Sequence, residues 1–380
     1  MATYIKRAIR EQVLSKLQPN KVLVLLGARR TGKTVFLKKF LSEDVSEPYL
    51  FLNGEDMAVQ TNLSKRTVEN YRLLLGDYRL LIIDEAQKID EIGLILKLMI
   101  DNIEGLKIIA TGSSVFDISN KLGEPLTGRK YSIHIFPFAQ LEFAQYENII
   151  ETRSRLEERL IYGSYPELIH VQGTEQKKDY LRELVNSYLL RDILEFEGVR
   201  NSEKMYALLR LIAFQIGKEV SLEELGKQLA LSRNTVEKYL DLLSKVFIIY
   251  KLPGFSRNLR SEITKTSRWY FVDNGIRNTL INNFNTIALR NDIGELWENY
   301  LLSERIKFQY YKGQLANNFF WRTYEQKEID WIEEKDGKLC AYEVKWSTAK
   351  NIKAPQSWVK AYPDSSFTVI DPENYLSWIM

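Results

Sequence analysis

Eight residues, Gly27-Ala28-Arg29-Arg30-Thr31-Gly32-Lys33-Thr34, have the types and spacing needed to hold a chain of phosphates. Gly27 and Gly32 allow the backbone to turn so that its N–H groups face an anion. A helix opening at this point would add the positive end of its dipole. Lys33 reaches β- and γ-phosphate oxygens as a point charge, and the hydroxyl of Thr34 suits Mg2+. Ala28, Arg29, Arg30 and Thr31 complete the loop as nucleotide-binding candidates, the two arginines as further contacts to phosphate or to a partner. The bland alternative is a glycine turn followed by a surface lysine.

A second motif argues against that alternative. Leu80-Leu81-Ile82-Ile83-Asp84-Glu85 is a buried-strand pattern ending in two carboxylates. Asp84 is placed to hold the magnesium shell. Glu85, one residue on, can orient or deprotonate an attacking water, so it points to hydrolysis as well as binding. A third apolar run ends Thr111-Gly112-Ser113-Ser114, where Thr111 and Ser113 compete as the hydroxyl beside Asp84. Arg129, in Leu126-Thr127-Gly128-Arg129, is a candidate arginine finger for its own site or a neighbour's.

A separate constellation lies near the C-terminus. Asp330 precedes Glu343 by a hairpin's length, and Glu343 and Lys345 alternate onto one strand face. Two carboxylates and a lysine on adjacent strands suit one or two Mg2+ ions and a water aimed at a phosphodiester. Glu298, with Glu295 as a near alternative, would add a metal oxygen from a preceding helix, while Tyr342 and Val344 would face the core. Arg322 is expected to pair with these acids or to bind phosphate. The competing interpretation is a salt-bridged surface hairpin, since Glu-x-Lys alone is common.

These residues require a scaffold. Strand patterns at 21–26, 48–52, 79–83, 106–110 and 131–136 alternate with helical runs at 33–42, 65–75 and 91–102, after a helix over 4–17. That alternation predicts a mostly parallel sheet covered on both sides. Further on, a helix over 203–216 precedes a capping-box start at Ser221 and a second cap at Ser232. The helix from Arg233 carries Val236, Tyr239, Leu240 and Leu243 on one stripe. With a hairpin from the runs 246–252 and 267–272, this predicts a winged helix. Residues 251–268 hold Lys251, Arg257, Arg260, Lys265 and Arg268 against the single acid Glu262, a plausible DNA footprint. The last segment begins with a helix at Gly294, with strands expected at 306–310, 318–323, 328–333 and 340–346. The domains expected are 1–195, 196–280 and 281–380.

Composition sets outer limits. The chain has 380 residues, 45% hydrophobic and 27% charged, and a formal net charge of +3, so charge alone neither requires nor excludes nucleic acid. No apolar run reaches the roughly 18 residues of a membrane span, and the basic N-terminus lacks the apolar core of a signal peptide. Cys340 is the single cysteine, which fits the reducing cytoplasm.

Taken together, the motifs resemble an AAA+-like P-loop ATPase family that carries a domain of unknown function, DUF4143, after the ATPase module. The matching pieces include GARRTGKT at 27–34 (Walker A), LLIIDEAQK at 80–88 (Walker B), LTGR at 126–129 and FPFAQLEF at 136–143. Further matches are YGSYPE at 162–167, SYLLRDI at 187–193, GELWENYLLSE at 294–304, WRTYEQKEID at 321–330 and AYEVKWS at 341–347. The resemblance implies an α/β P-loop core followed by a winged helix and a restriction-endonuclease-like α/β domain, with Ile329 replacing the proline often found before the first acid. It implies ATP and Mg2+ at Gly32, Lys33, Thr34, Asp84 and Glu85, and a nuclease-like set at Glu298, Asp330, Glu343 and Lys345. The expected function is ATP hydrolysis on or near DNA, with metal-dependent cleavage as a second activity and self-association as a further expectation. The alternative is a nucleotide-operated switch or scaffold that binds a protein partner, with an inactive nuclease-like domain.

Overall fold

Apolar runs that end in glycine or a polar residue become five parallel strands. The computed structural model describes residues 4–113, 126–189, 201–256, 267–323, 325–348 and 352–380. It divides into two units. The first is built mainly from residues up to Pro137, and the second from Phe138–Val185, Asn201–Ser244 and Ile248–Met380. The stretch 138–185, assigned from the sequence to the end of the ATPase domain, clusters with the second unit.

In the first unit, β1 (Lys21–Leu26), β2 (Tyr49–Asn53), β3 (Leu80–Asp84), β4 (Lys107–Gly112) and β5 (Lys130–His134) form one sheet in the order β2-β3-β4-β1-β5. Every pairing is parallel. Strands covered on both faces need apolar residues throughout, and β3 is buried along its whole length. The edge strand β2 instead alternates exposed and half-buried residues. Leu96, Met99 and Ile100 of the helix Ile92–Asn102 pack with Val22, Val24, Ile83 and Ile108 in one apolar cluster. Of the expected helix over 4–17, only Arg10–Lys16 is α-helical, with Arg10 Nε donating to Asp44 at 2.8 Å.

The second unit contains two sheets. The first follows the helix Ser202–Phe214: β6 (Glu219–Val220), the helices Leu222–Leu229 and Arg233–Lys245, then β7 (Ile249–Pro253) and β8 (Ser267–Phe271). The strands run antiparallel in the order β6-β8-β7. Ser221 and Ser232 act as the expected caps, their hydroxyls accepting from the Glu224 and Thr235 N–H groups at 3.3 and 3.1 Å. The stripe Val236, Tyr239, Leu240 and Leu243 is buried.

The other sheet has the order β12-β11-β10-β9, from β9 (Asn317–Arg322), β10 (Glu328–Lys335), β11 (Lys338–Val344) and β12 (Ser366–Ile370). The expected strand at 306–310 does not form, because the helix Ile293–Tyr311 runs through it. Leu301, Phe308 and Tyr311 are all buried, continuing the helical stripe of Leu296, Trp297 and Tyr300. Trp321, Ile329, Ile332, Leu339, Ala341 and Trp358 fill an apolar core with Phe255. Phe255 also donates its N–H to the Phe320 carbonyl at 2.6 Å, so the chain after β7 joins the edge of β9.

Candidate nucleotide site and the C-terminal carboxylate cluster

The P-loop lies between β1 and the helix Lys33–Asp44, and local sterics explain its glycines. A Cβ on Gly27 would stand 2.4 Å from the Ile135 carbonyl oxygen, closer than real atoms approach. Gly32 has φ 88°, the left-handed region that favours glycine. Lys33 is buried, only 6% exposed, and its ammonium donates to the carbonyls of Gly27 and Ala28 at 2.9 and 3.0 Å. The Thr31 hydroxyl donates to Ala28 O at 2.8 Å and holds the loop closed on itself.

The ends of β3 and β4 supply the other half. The Thr34 hydroxyl donates to Asp84 Oδ2 at 3.0 Å, and the Thr111 hydroxyl donates to Asp84 Oδ1. The same Thr111 oxygen accepts from the Glu85 N–H at 3.1 Å. Glu85 has φ 53°, a left-handed conformation costing on the order of 1–2 kcal/mol in a non-glycine residue. Its carboxylate accepts from Gln87 Nε2 at 2.5 Å. A carboxylate fixed between two hydroxyls beside an anion-binding loop suits Mg2+, which needs only one or two protein carboxylates when phosphates complete its shell. Between the two candidate hydroxyls, the geometry favours Thr111. Ser113 is buried just beyond β4.

Arg129 stands apart from this group. Lys130 pairs with Val22 at the start of β1, whereas the loop follows Leu26 at the other end. The offset is about five residues of strand, roughly 16 Å. Arg129 pairs instead with Asp101 at 2.7 Å. Arg129 thus stands at the far end of β1 from its own P-loop. Arg29 is half-buried and Arg30 exposed, the latter at φ 64°.

The basic segment 251–268 is only partly described. Arg257, Arg260 and Lys265 lie outside the described residues. Lys251 is exposed, its ammonium 6.0 Å from the centre of the Trp269 ring. Arg268 belongs elsewhere: its side chain is 5% exposed and points into the C-terminal acids. On the helix Arg233–Lys245, Arg233 is paired with Glu223 at 2.9 Å.

Trp331 pairs with Tyr342 across β10 and β11, so one step along the same register brings Asp330 opposite Glu343. Asp330 Oδ2 accepts from the Val344 N–H at 2.9 Å, and Lys345 pairs with Glu343 at 2.6 Å. Glu298, from the long helix, accepts a short hydrogen bond from the Tyr270 hydroxyl. Arg268 enters this group from β8. Its Nη2 donates to Glu328 at 2.6 Å, and its Nη1 lies 3.7 Å from Asp330 and 4.0 Å from Glu298. Arg322, expected to pair with these acids, binds Glu219 at 2.6 Å. Among the described residues no three His, Cys, Asp or Glu side chains are arranged to hold a metal ion. Of the expected metal set, Glu298 and Asp330 face Arg268, and Glu343 faces Lys345. Tyr342 is half-buried on the Trp378 ring, 5.0 Å between centres, and Val344 is buried.

Burial, then the charge of Asp330, pushes Glu298 up to about 8 and Glu343 up to about 7 from an ordinary value of 4.5. The folded state therefore holds protons that the unfolded chain has released. Stability is fully present below the unfolded value and is lost as pH rises through the folded one. All seven tryptophans fall in the second unit, so their fluorescence reports that unit. The expected result is a urea midpoint that falls between about pH 5 and pH 8, with a flatter profile in Glu298→Gln. A midpoint that climbs over this range would refute the assignment.

Three stretches of the chain match known families. Residues 19–144 match a family model described as an AAA domain. Residues 153–286 match one described as a domain of unknown function, DUF8612, and residues 293–375 another, DUF4143. An uncharacterized protein of Methanocaldococcus jannaschii is 24% identical over 377 residues, covering 93% of this chain and 82% of the relative. One from Haemophilus influenzae is 25% identical over 354 residues, covering 87% and 84%. Among solved structures, AMPPCP-bound DnaA from Aquifex aeolicus is similar at 17% identity and a TM-score of 0.30, covering 64% of this chain and 89% of that one. No helix among the described residues is long and apolar enough to cross a membrane. The chain carries an AAA+-like P-loop ATPase domain and, separate from it, a C-terminal DUF4143 domain.

Proposed function

We propose that this chain is a magnesium-dependent ATPase whose turnover serves an action on DNA. One observation carries the reading: Asp84 accepts from the hydroxyls of both Thr34 and Thr111, while Thr111 also fixes the backbone of Glu85. In this reading the loop amides and Lys33 hold the triphosphate, Thr34 and Asp84 hold Mg2+, and Glu85 takes the proton of the attacking water. Bound Mg2+ would supply charge neutralisation at the β- and γ-phosphate oxygens. ATP is preferred to GTP because the chain lacks an Asn-Lys-x-Asp guanine-reading signature.

The DNA part of the reading rests on the order helix, strand, helix, helix, strand, strand over 202–271, which is that of a winged helix, and on the basic residues of 251–268. A mobility-shift titration in salt tests it. Binding should weaken steeply with salt, and neutralising Lys251, Arg257, Arg260 and Lys265 together should reduce the log–log slope by about four. Salt-insensitive binding, or none, would remove DNA from the proposal. It would favour a nucleotide-operated switch that recognises a protein partner. That second reading draws support from Arg233, which is engaged by Glu223, and from the carboxylate cluster, whose acids face Arg268 and Lys345. Self-association belongs to the proposal as well, with Arg129, at the far end of β1 from its own P-loop, as the group that would reach a neighbouring copy's nucleotide.

A further inference from the structure

We propose that Arg268 is the resident cation of the C-terminal carboxylate cluster and that its guanidinium keeps divalent metal out. Four elements converge on it: Arg268 from β8, Glu298 from the helix Ile293–Tyr311, Glu328 and Asp330 from β10, and Phe320 from β9. The guanidinium carbon lies 4.6 Å from the centre of the Phe320 ring, which orients the charged plane. Burial this deep is tolerated only when the charge is paired.

The position of Arg268 is set by the chain around it. Phe271 at the end of β8 donates its N–H to Asn299 Oδ1 at 2.7 Å and accepts from Asn299 Nδ2 at 3.0 Å, so a side chain stands in for a neighbouring strand. The Ser303 hydroxyl adds a bond to the Val272 carbonyl at 2.6 Å. Asn299 and Ser303 sit on the helix that carries Glu298, so β8 and Glu298 are locked in register.

A divalent ion needs carboxylate oxygens at about 2.0–2.6 Å. Here the oxygens of Asp330 and Glu298 face one guanidinium nitrogen at 3.7 and 4.0 Å. That nitrogen stands between the two acids, so a metal ion and Arg268 compete for one place. Lys345 supplies the second positive charge, on Glu343. Two of the chain's own cations thus face the cluster's four carboxylates. Of these, Arg268 comes from the segment before the DUF4143 domain.

Mn2+ uptake by the full-length, nucleotide-free chain, followed by electron paramagnetic resonance, tests this separately from ATP turnover. Uptake by the unsubstituted chain should be unaffected by Asp330→Asn. Arg268→Gln should take up an additional ion that the further change Asp330→Asn removes, and Arg268→Lys, which keeps the charge, should not. The proposal fails if Asp330→Asn lowers uptake by the unsubstituted chain, or if folded Arg268→Gln gains no ion. Where tryptophan fluorescence shows Arg268→Gln unfolded, Mn2+ should restore folding by supplying the positive charge that the guanidinium supplied. Failure to do so also overturns it.

Discussion

Replacing Lys33 by alanine is expected to lower phosphate release from ATP by at least about a hundredfold, the scale of losing one preorganised donor to transition-state charge. The expectation follows from where the lysine stands. It opens the helix after the loop, is almost fully buried, and keeps its ammonium against the Gly27 and Ala28 carbonyls. Those bonds hold the amine at the phosphate-binding loop, so little reorganisation is needed when an anion arrives. Alanine removes both the charge and the donor, and the loop amides alone remain. Calorimetry on the same variant should show weakened triphosphate uptake, and circular dichroism an unchanged helical signal. Full turnover in Lys33→Ala would place hydrolysis at another site, whatever the motif suggests.

How much of this was legible beforehand differs between the two units. The parallel sheet could be read because buried parallel strands are written as unbroken apolar runs, and the P-loop because its glycines and lysine are consecutive. The choice between Thr111 and Ser113 was not readable. Both lie at the end of the same apolar run, Thr111 within β4 and Ser113 just beyond it, and only the pairing of β3 with β4 determines which hydroxyl meets Asp84. The position of Arg129 was hidden in a similar way, since a residue just before a strand lies at the opposite edge from loops that follow parallel neighbours.

In the second unit, alternation along β11 and the caps at Ser221 and Ser232 were local signals, and they could be read. The helix through 306–310 was missed because its aromatic residues also suit a strand. Its length becomes clear only when the buried stripe is followed from Leu296 to Tyr311. Arg268 was counted with the basic segment by composition. Its burial depends on contacts about 30 and 60 residues away along the chain, with Glu298, Glu328 and Asp330, which no periodicity encodes.

Glu85→Gln should separate binding from chemistry. Glutamine preserves the size of the side chain and an oxygen that can accept from Gln87, but it cannot take a proton from water. The expected outcome is a fall in kcat of about 10²–10⁴-fold, the usual worth of a positioned general base, with triphosphate affinity nearly retained. Thr111→Val should act differently. It strips a hydroxyl from Asp84 and leaves the Glu85 N–H without its acceptor, so both metal affinity and kcat should drop. Ser113→Ala should do neither if Thr111 is the residue that matters. The left-handed backbone of Glu85 sharpens the contrast, because strain at a non-glycine residue persists only where surrounding bonds hold it. If Glu85→Gln turns over within about twofold of the unsubstituted chain, proton transfer to this carboxylate contributes nothing. Hydrolysis would then proceed without Glu85 as its base, and that carboxylate would serve only to hold the local conformation through Gln87.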